Sequence, residues 1–236
     1  MVNLHDFAGA APVSPLARKT APEIAEGNNE RLLTRAGWTI SRLGGISPDV
    51  FELALGAANC AIRSGAVSDS RTLTVIDYSK SSVEKRLWVF DLADRELLHQ
   101  ELVAHGQGSG MTFATQFSNR PESHQTSLGL FVTEDTYVGR NGYSLRLNGL
   151  DRGFNDRARE RAIVMHGAPY VSTDFAKAQG RIGRSWGCPA LSDAVARTVI
   201  DQIKGGGLVF AYYPDPQWLR ASKFLQCQGG DGASTR

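Results

Sequence analysis

The sequence predicts a mostly β fold of the α+β kind: an antiparallel sheet or sandwich with flanking helices and an N-terminal helical extension. Two observations carry this reading. Behind Ser47-Pro48, the apolar residues Phe51, Leu55, Ala58 and Ile62 recur at helical spacing. From Arg71 the period changes, and short apolar runs of strand length follow one another between turn residues. No internal repeat is visible. Strands in succession after a helical flank point to one layered domain rather than to alternating βα units.

In chain order, residues 1–30 are polar and rich in Ala, Pro and Gly, which reads as a mobile arm. Asn29 to Leu43 is expected to form a short helix. Ser47 is the expected N-cap and Pro48 the first helical residue of the next one, which Ser64-Gly65 ends. Strands are expected at Leu73–Asp77, Leu87–Asp91, Leu97–Ala104, Leu128–Thr133, Tyr143–Leu147, Ala162–Met165 and Leu208–Tyr213. Ala93-Asp94-Arg95 and Asn141-Gly142 read as turns. Ser192 reads as the N-cap of a helix over Asp193 to Lys204. The domain reading is an arm over 1–46, a main domain over 47–215 that includes its N-terminal helix, and a tail over 216–236.

The chain has 236 residues and a formal net charge of +2. That length buries a substantial core, and that charge implies no pull toward nucleic acid or a membrane surface. No apolar run approaches the about 18 residues of a membrane span. Met1 to Phe7 has neither a basic nor an apolar leader region. No CxxC, HExxH or clustered ligand set appears, so neither a metal nor another cofactor is expected. Of the three cysteines, Cys60 and Cys227 form a possible pair if Cys188 is set apart for chemistry.

Cys188 stands out because it lies in a glycine-flanked, basic turn, Gly180-Arg-Ile-Gly-Arg-Ser-Trp-Gly-Cys-Pro-Ala-Leu191. The apolar run Ala162-Ile-Val-Met165 delivers His166-Gly167, 22 residues upstream of Cys188. A cysteine in a tight turn and a histidine at a strand end are the parts of a thiolate nucleophile and its base. Tyr170 to Gly180 is the expected loop that brings them together. Arg181 and Arg184 are the candidate cations favouring the thiolate. Gly187 permits a sharp turn, and the N–H groups around Cys188 are candidate oxyanion donors. The competing reading of Cys188 is a buried structural thiol.

Other residues carry weaker signals. His105-Gly106 repeats the His-Gly pattern at a strand end and is a candidate cleft residue. Gly106 to Gly110 fits no phosphate-binding pattern. Tyr143 is a candidate oxyanion donor, weighed against an ordinary half-buried strand tyrosine. Arg140, Arg146, Arg181 and Arg184 are candidates for holding substrate carboxylates, with solvation the simpler reading for Arg140. Trp186 is expected to form a wall of the cleft, and Asn148 to Arg161 a charged surface segment.

His166-Gly167 together with Ser185-Trp-Gly-Cys-Pro189 resembles the catalytic signature of the YkuD-type L,D-transpeptidases. That signature is a histidine and a small residue, then Ser/Thr-His-Gly-Cys. Here Trp186 stands where the signature has histidine, and Pro189-Ala190 where it has a hydrophobic and a polar residue. Asp77-Tyr-Ser-Lys80, Arg86-Leu-Trp-Val-Phe-Asp91, Val103-Ala-His-Gly106 and Gly142-Tyr-Ser-Leu-Arg146 are similar to a divergent branch, the murein L,D-transpeptidase catalytic-domain proteins. The resemblance runs from about Ser47 to Tyr213 and implies a YkuD-like fold. It implies a transferase of peptidoglycan biosynthesis that cross-links stem peptides, 3→3 or 1→3, through a Cys188 thioester. His166 would be the base and Gly167 would orient it through its carbonyl. Ser185, Trp186, Gly187, Arg184, Arg181 and Tyr143 would serve substrate or oxyanion. The implied partners are donor and acceptor stem peptides, with carbapenems as possible acylating agents. An L,D-carboxypeptidase and a non-catalytic peptidoglycan-binding relative are the alternatives. The implied location is the periplasm or cell envelope, with Ala8–Pro12 as a mature N-terminus and the signal peptide outside this sequence.

Overall fold

The computed structural model describes residues 37–227. Most of the expected helix at Asn29 to Leu43 lies outside them; its end is a single 3-10 turn, Ile40–Leu43. Helix α1 spans Pro48–Arg63, with Pro48 in its first turn and Ser47 before it; the Ser47 hydroxyl makes no capping bond. Proline's fixed φ starts the helix without that bond.

Among the described residues eight strands follow: β1 Thr72–Asp77, β2 Leu87–Asp91, β3 Glu96–Glu101, β4 Gly129–Gly139, β5 Gly142–Gly149, β6 Val164–Gly167, β7 Ala190–Leu191 and β8 Leu208–Tyr212. They form one sheet in the order β3-β2-β1-β8-β4-β5-β6-β7. Neighbours are antiparallel except β1 with β8 and β6 with β7. Ala104, just past β3, bridges Ala190 in β7. The two edges of the sheet therefore meet, and the sheet nearly closes on itself.

Strand alternation explains why β1, β2 and β8 read as continuous apolar runs. Trp88 and Phe90 face one core with Leu73, Val75 and Phe210, while Leu87 and Val89 face the other with Ile76 and Val209. Both faces are covered, so both registers are apolar. The first core packs α1 and two C-terminal helices, α4 Pro216–Ala221 and α5 Lys223–Gln226, so the expected tail carries structure. The second lies under α3, Asp193–Ile203, through Val199, Ile200 and Ile203. The Ser192 hydroxyl caps α3, as its sequence position suggests, accepting from the Ala194 N–H.

Two local expectations fail. The stretch from Tyr170 to Gly180 is not a simple loop, because Ser172 caps helix α2, Thr173–Gln179. The segment from Asn148 to Arg161 is charged but not all surface: Asp151, Asn155 and Ala158 are buried. Asp151 accepts from the Leu130 N–H at 3.0 Å and from the Ser222 hydroxyl at 2.7 Å, and Asn155 donates to the Leu130 carbonyl at 3.0 Å. Side chains there satisfy the backbone at the start of β4. Burial raises the Asp151 carboxyl above its ordinary range.

Cys60 on α1 and Cys227 beyond α5 form a disulfide, with Cα atoms 5.6 Å apart. It joins residues separated by 167 positions. Replacing both cysteines by serine is expected to lower stability by about 2–4 kcal/mol. Thermal unfolding with and without reductant checks this; an unchanged Tm would show that the crosslink adds nothing.

Candidate active site

β6 presents His166 and β7 lies beside it, with His166 in register with Ala190 and Gly167 with Leu191. Cys188 sits two residues before β7, so the parallel pairing places the cysteine turn at the head of β6. The Cys188 thiol accepts from the Val164 N–H at 3.5 Å and donates toward the Ala162 carbonyl at 3.7 Å. Ala162 has φ +52°, a strained value for a residue with a side chain, directly beside the thiol.

The imidazole of His166 has a defined tautomer. Its Nδ1 lies 2.7 Å from the Gly167 carbonyl. A carbonyl only accepts, so Nδ1 carries the hydrogen and Nε2 holds the free lone pair. Gly167 itself is a close-packing glycine: a Cβ there would lie 2.6 Å from Asp193 Oδ1.

A cleft of about 410 Å³ gathers Cys188 and His166 with Tyr170, Arg184, Ser185 and Trp186, and with Arg140, Asn141, Arg161 and Ala162. Arg140, at the tip of the β4–β5 hairpin, is exposed, as expected, and also lines the cleft. Trp186 is 64% exposed and stacks on His124, with centroids 5.0 Å apart and planes at 12°.

The turn is held by its own serine. Ser185 Oγ accepts from the Gly187 N–H at 3.1 Å and donates to the Cys188 carbonyl at 2.6 Å. This corrects the expectation for Gly187: its N–H is spent inside the turn and is not free for an oxyanion. Gly187 adopts φ +118°, and a Cβ on it would lie 2.8 Å from the Gln125 carbonyl.

Four further site candidates are not brought to the thiol. The Tyr143 hydroxyl donates to Asp201 on α3 at 2.6 Å, with the Arg197 guanidinium over its ring, because strand alternation turns it away from His166. Arg181 donates to the carbonyl of Ile182 and is not among the residues lining the cleft. His105 is fully buried and takes a hydrogen bond from Arg86. Arg146 is also engaged elsewhere, over the Tyr137 ring. Arg184 does line the cleft, donating to the carbonyls of Gln107 and Gly110.

Two residues that the sequence did not single out, Tyr170 and Arg161, line the cleft. Tyr170 is the tyrosine at the cleft; burial first, then the charges of Cys188 and Asp193, push its phenol to about 12, so it remains a donor. Arg161 is the cation nearest in effect to Cys188. Burial raises the thiol, while the Val164 N–H and Arg161 oppose the rise. Nothing in Asp156-Arg-Ala-Arg-Glu-Arg161 separates this arginine from its solvated neighbours except that it stands closest to β6.

His105 provides a pH test of the fold. Burial, then the charge of Arg86, lowers it from 6.5 to about 4. A depressed histidine contributes stability that is complete above the unfolded value and lost as pH falls through the folded one. Between pH 7 and 4 the loss is expected to be about 3 kcal/mol. His105→Asn should flatten that part of a Tm-against-pH curve; an identical slope in the variant would remove His105 as the cause.

Comparison with known proteins follows the same lines. A family model described as L,D-transpeptidase catalytic domain, YkuD_2, matches residues 43–212. No curated protein matches the chain. Among solved structures, an L,D-transpeptidase from Mycobacterium smegmatis is similar at 16% identity and TM-score 0.37, covering 61% of this chain and 59% of that one. An L,D-transpeptidase in complex with imipenem is similar at 15% identity and TM-score 0.37, covering 60% and 59%. One from Stackebrandtia nassauensis is similar at 16% identity and TM-score 0.38, covering 75% of each chain. This chain thus spans less than two thirds of the first two. The family match takes in well over half of the sequence, including the histidine strand and the cysteine turn, and the chain belongs to the YkuD_2 family of L,D-transpeptidase catalytic domains.

Proposed function

We propose that this protein is a peptidoglycan L,D-transpeptidase with Cys188 as nucleophile and His166 as general base. The observation that carries the reading is the shared cleft, in which a free thiol and an imidazole with its Nε2 lone pair available stand together. Burial keeps the resting thiol protonated at neutral pH, so proton removal belongs to the attack itself. Sulfur attacks a stem-peptide carbonyl as Nε2 takes the thiol proton. The tetrahedral oxyanion collapses to a thioester, and the leaving amine departs with the proton from His166. An acceptor amine then attacks the thioester, loses a proton to Nε2, and returns the thiol. The Tyr170 hydroxyl is suited to meet the oxyanion.

The lining supports an acidic substrate. Arg140, Arg161 and Arg184 line the cleft, and no carboxylate stands among the described lining residues. The Cys60–Cys227 crosslink suits an oxidising compartment, in keeping with the periplasm or cell envelope. The catalytic unit is proposed to be 47–215.

Muropeptide mass spectrometry after incubation with purified sacculi tests the reading. New cross-linked dimers, 3→3 or 1→3 by fragmentation, support it. Shortened stems without dimers would make the protein an L,D-carboxypeptidase, and unchanged muropeptides a binding module. A carbapenem is expected to acylate Cys188 slowly, because its strained amide meets the same thiol while the Trp186 indole narrows the approach. Intact-protein mass spectrometry should show one drug mass on the wild type and none on Cys188→Ala; an adduct surviving that substitution would refute the mechanism.

A further inference from the structure

Three buried side chains, Arg86, His105 and Thr126, take no part in the chemistry above, yet all bear on the segment that brackets the cysteine turn. Arg86 is fully buried. Its guanidinium donates to the Val103 carbonyl at 3.2 and 3.0 Å, to the Lys80 carbonyl at 2.8 Å and to His105 Nδ1 at 2.7 Å. These acceptors are carbonyls and an imidazole. A buried cation on neutral acceptors is costly, so what it fixes matters. Because a guanidinium only donates, His105 Nδ1 accepts, and its Nε2–H faces the Gly110 carbonyl at 3.4 Å.

The segment so fixed runs straight along the turn. The Ala104 N–H donates to the Ala190 carbonyl at 2.8 Å, the His105 carbonyl accepts from the Ser185 N–H at 3.0 Å, and the Gln107 N–H donates to the Ser185 carbonyl at 2.8 Å. Thr126 adds a side-chain bridge. Its hydroxyl accepts from the Gly106 N–H at 2.9 Å and donates to the Gly187 carbonyl at 3.3 Å. Thr126 is itself 2% exposed, and its own N–H is held by Ser109 Oγ at 2.9 Å. The cysteine turn is therefore fastened on the 104–107 side at both its ends and, through Thr126, next to Cys188 itself.

We infer that Arg86, His105 and Thr126 are positioning residues for the reaction: they set the Ser185–Cys188 turn so that the thiol meets His166 and the incoming carbonyl. The inference rests on Cys188 being the nucleophile. A purely structural role predicts lower stability with unchanged turnover per folded molecule. A positioning role predicts a slower chemical step at unchanged affinity, since displacing a reacting atom by about 1 Å costs about 100-fold.

Thr126→Val keeps the shape and removes these two hydrogen bonds together with the hydroxyl's contact to the Tyr78 phenol; Thr126→Ser keeps the hydroxyl. The full chain carries one free thiol, Cys188, so alkylation by iodoacetamide reads that residue alone. Alkylation rate across about pH 6 to 10, initial rates at limiting and saturating sacculi, and Tm are measured together. Thr126→Val is expected to lose about 100-fold in saturated rate, with half-saturation little changed and the alkylation profile displaced. Thr126→Ser should return to within about threefold of wild type. His105→Asn, whose amide oxygen replaces Nδ1, should lose less than His105→Ala. A folded Thr126→Val with wild-type turnover and a wild-type alkylation profile overturns the inference. Should Thr126→Val not fold, a folded His105→Ala with both readouts unchanged overturns it equally. If the wild type makes no product while the profile still moves in Thr126→Val, the transferase reading fails, and what stands is the control of Cys188 reactivity by these residues.

Discussion

Cys188→Ala is expected to leave no measurable cross-linked product and an essentially native fold. The thiol is 8% exposed and makes only two long sulfur contacts, so its loss removes one atom from a packed but forgiving place. A destabilisation of about 1 kcal/mol is the scale for such a truncation. The chemistry has no substitute, because the other two cysteines are tied in a disulfide. Incubation with sacculi followed by muropeptide mass spectrometry, alongside a melting curve, separates the two effects. Wild-type product from the alanine variant would end the assignment.

His166→Ala is the second large effect. General-base catalysis is worth about 10²–10⁴-fold, and the loss here should fall toward the upper end. The reason is the buried thiol: its raised pKa leaves little thiolate at neutral pH to act unaided. The residual rate should climb with pH, as hydroxide performs the deprotonation that Nε2 performed. Single-turnover acylation across pH reads this directly. A variant with wild-type rate at neutral pH would move the base elsewhere, and a thiol whose reactivity ignores His166 would favour a non-catalytic relative.

Much of this was legible in the sequence because its signals are local. Ser47-Pro48, Ser192 and the short apolar runs mark their elements by residue type alone, and the cysteine turn declares itself by composition. What was hidden depends on partners distant in the chain. The two-residue strand β7 is too short to show a period, and its existence depends on β6. Tyr143 and Tyr170 are equal as sequence; only the pairing of β5 with β6 and the burial of Tyr143 against α3 decide which reaches the cleft. Arg161 among its neighbours, and Asp151 with Asn155 in a charged run, were misread because solvated and satisfied-buried polar residues look alike until the acceptors are located. The sheet's parallel joins, β1–β8 and β6–β7, are invisible to strand patterning for the same reason.

The near-closure of the sheet places the thiol at its seam, where Ala104 meets Ala190. The bonds that shut the sheet are also those that shape the cysteine turn. Parting that seam would disarm the protein before it unfolds. On the proposed reading of Cys188, integrity and reactivity share one latch, and local opening at the seam is expected to cost reactivity before the fold is lost.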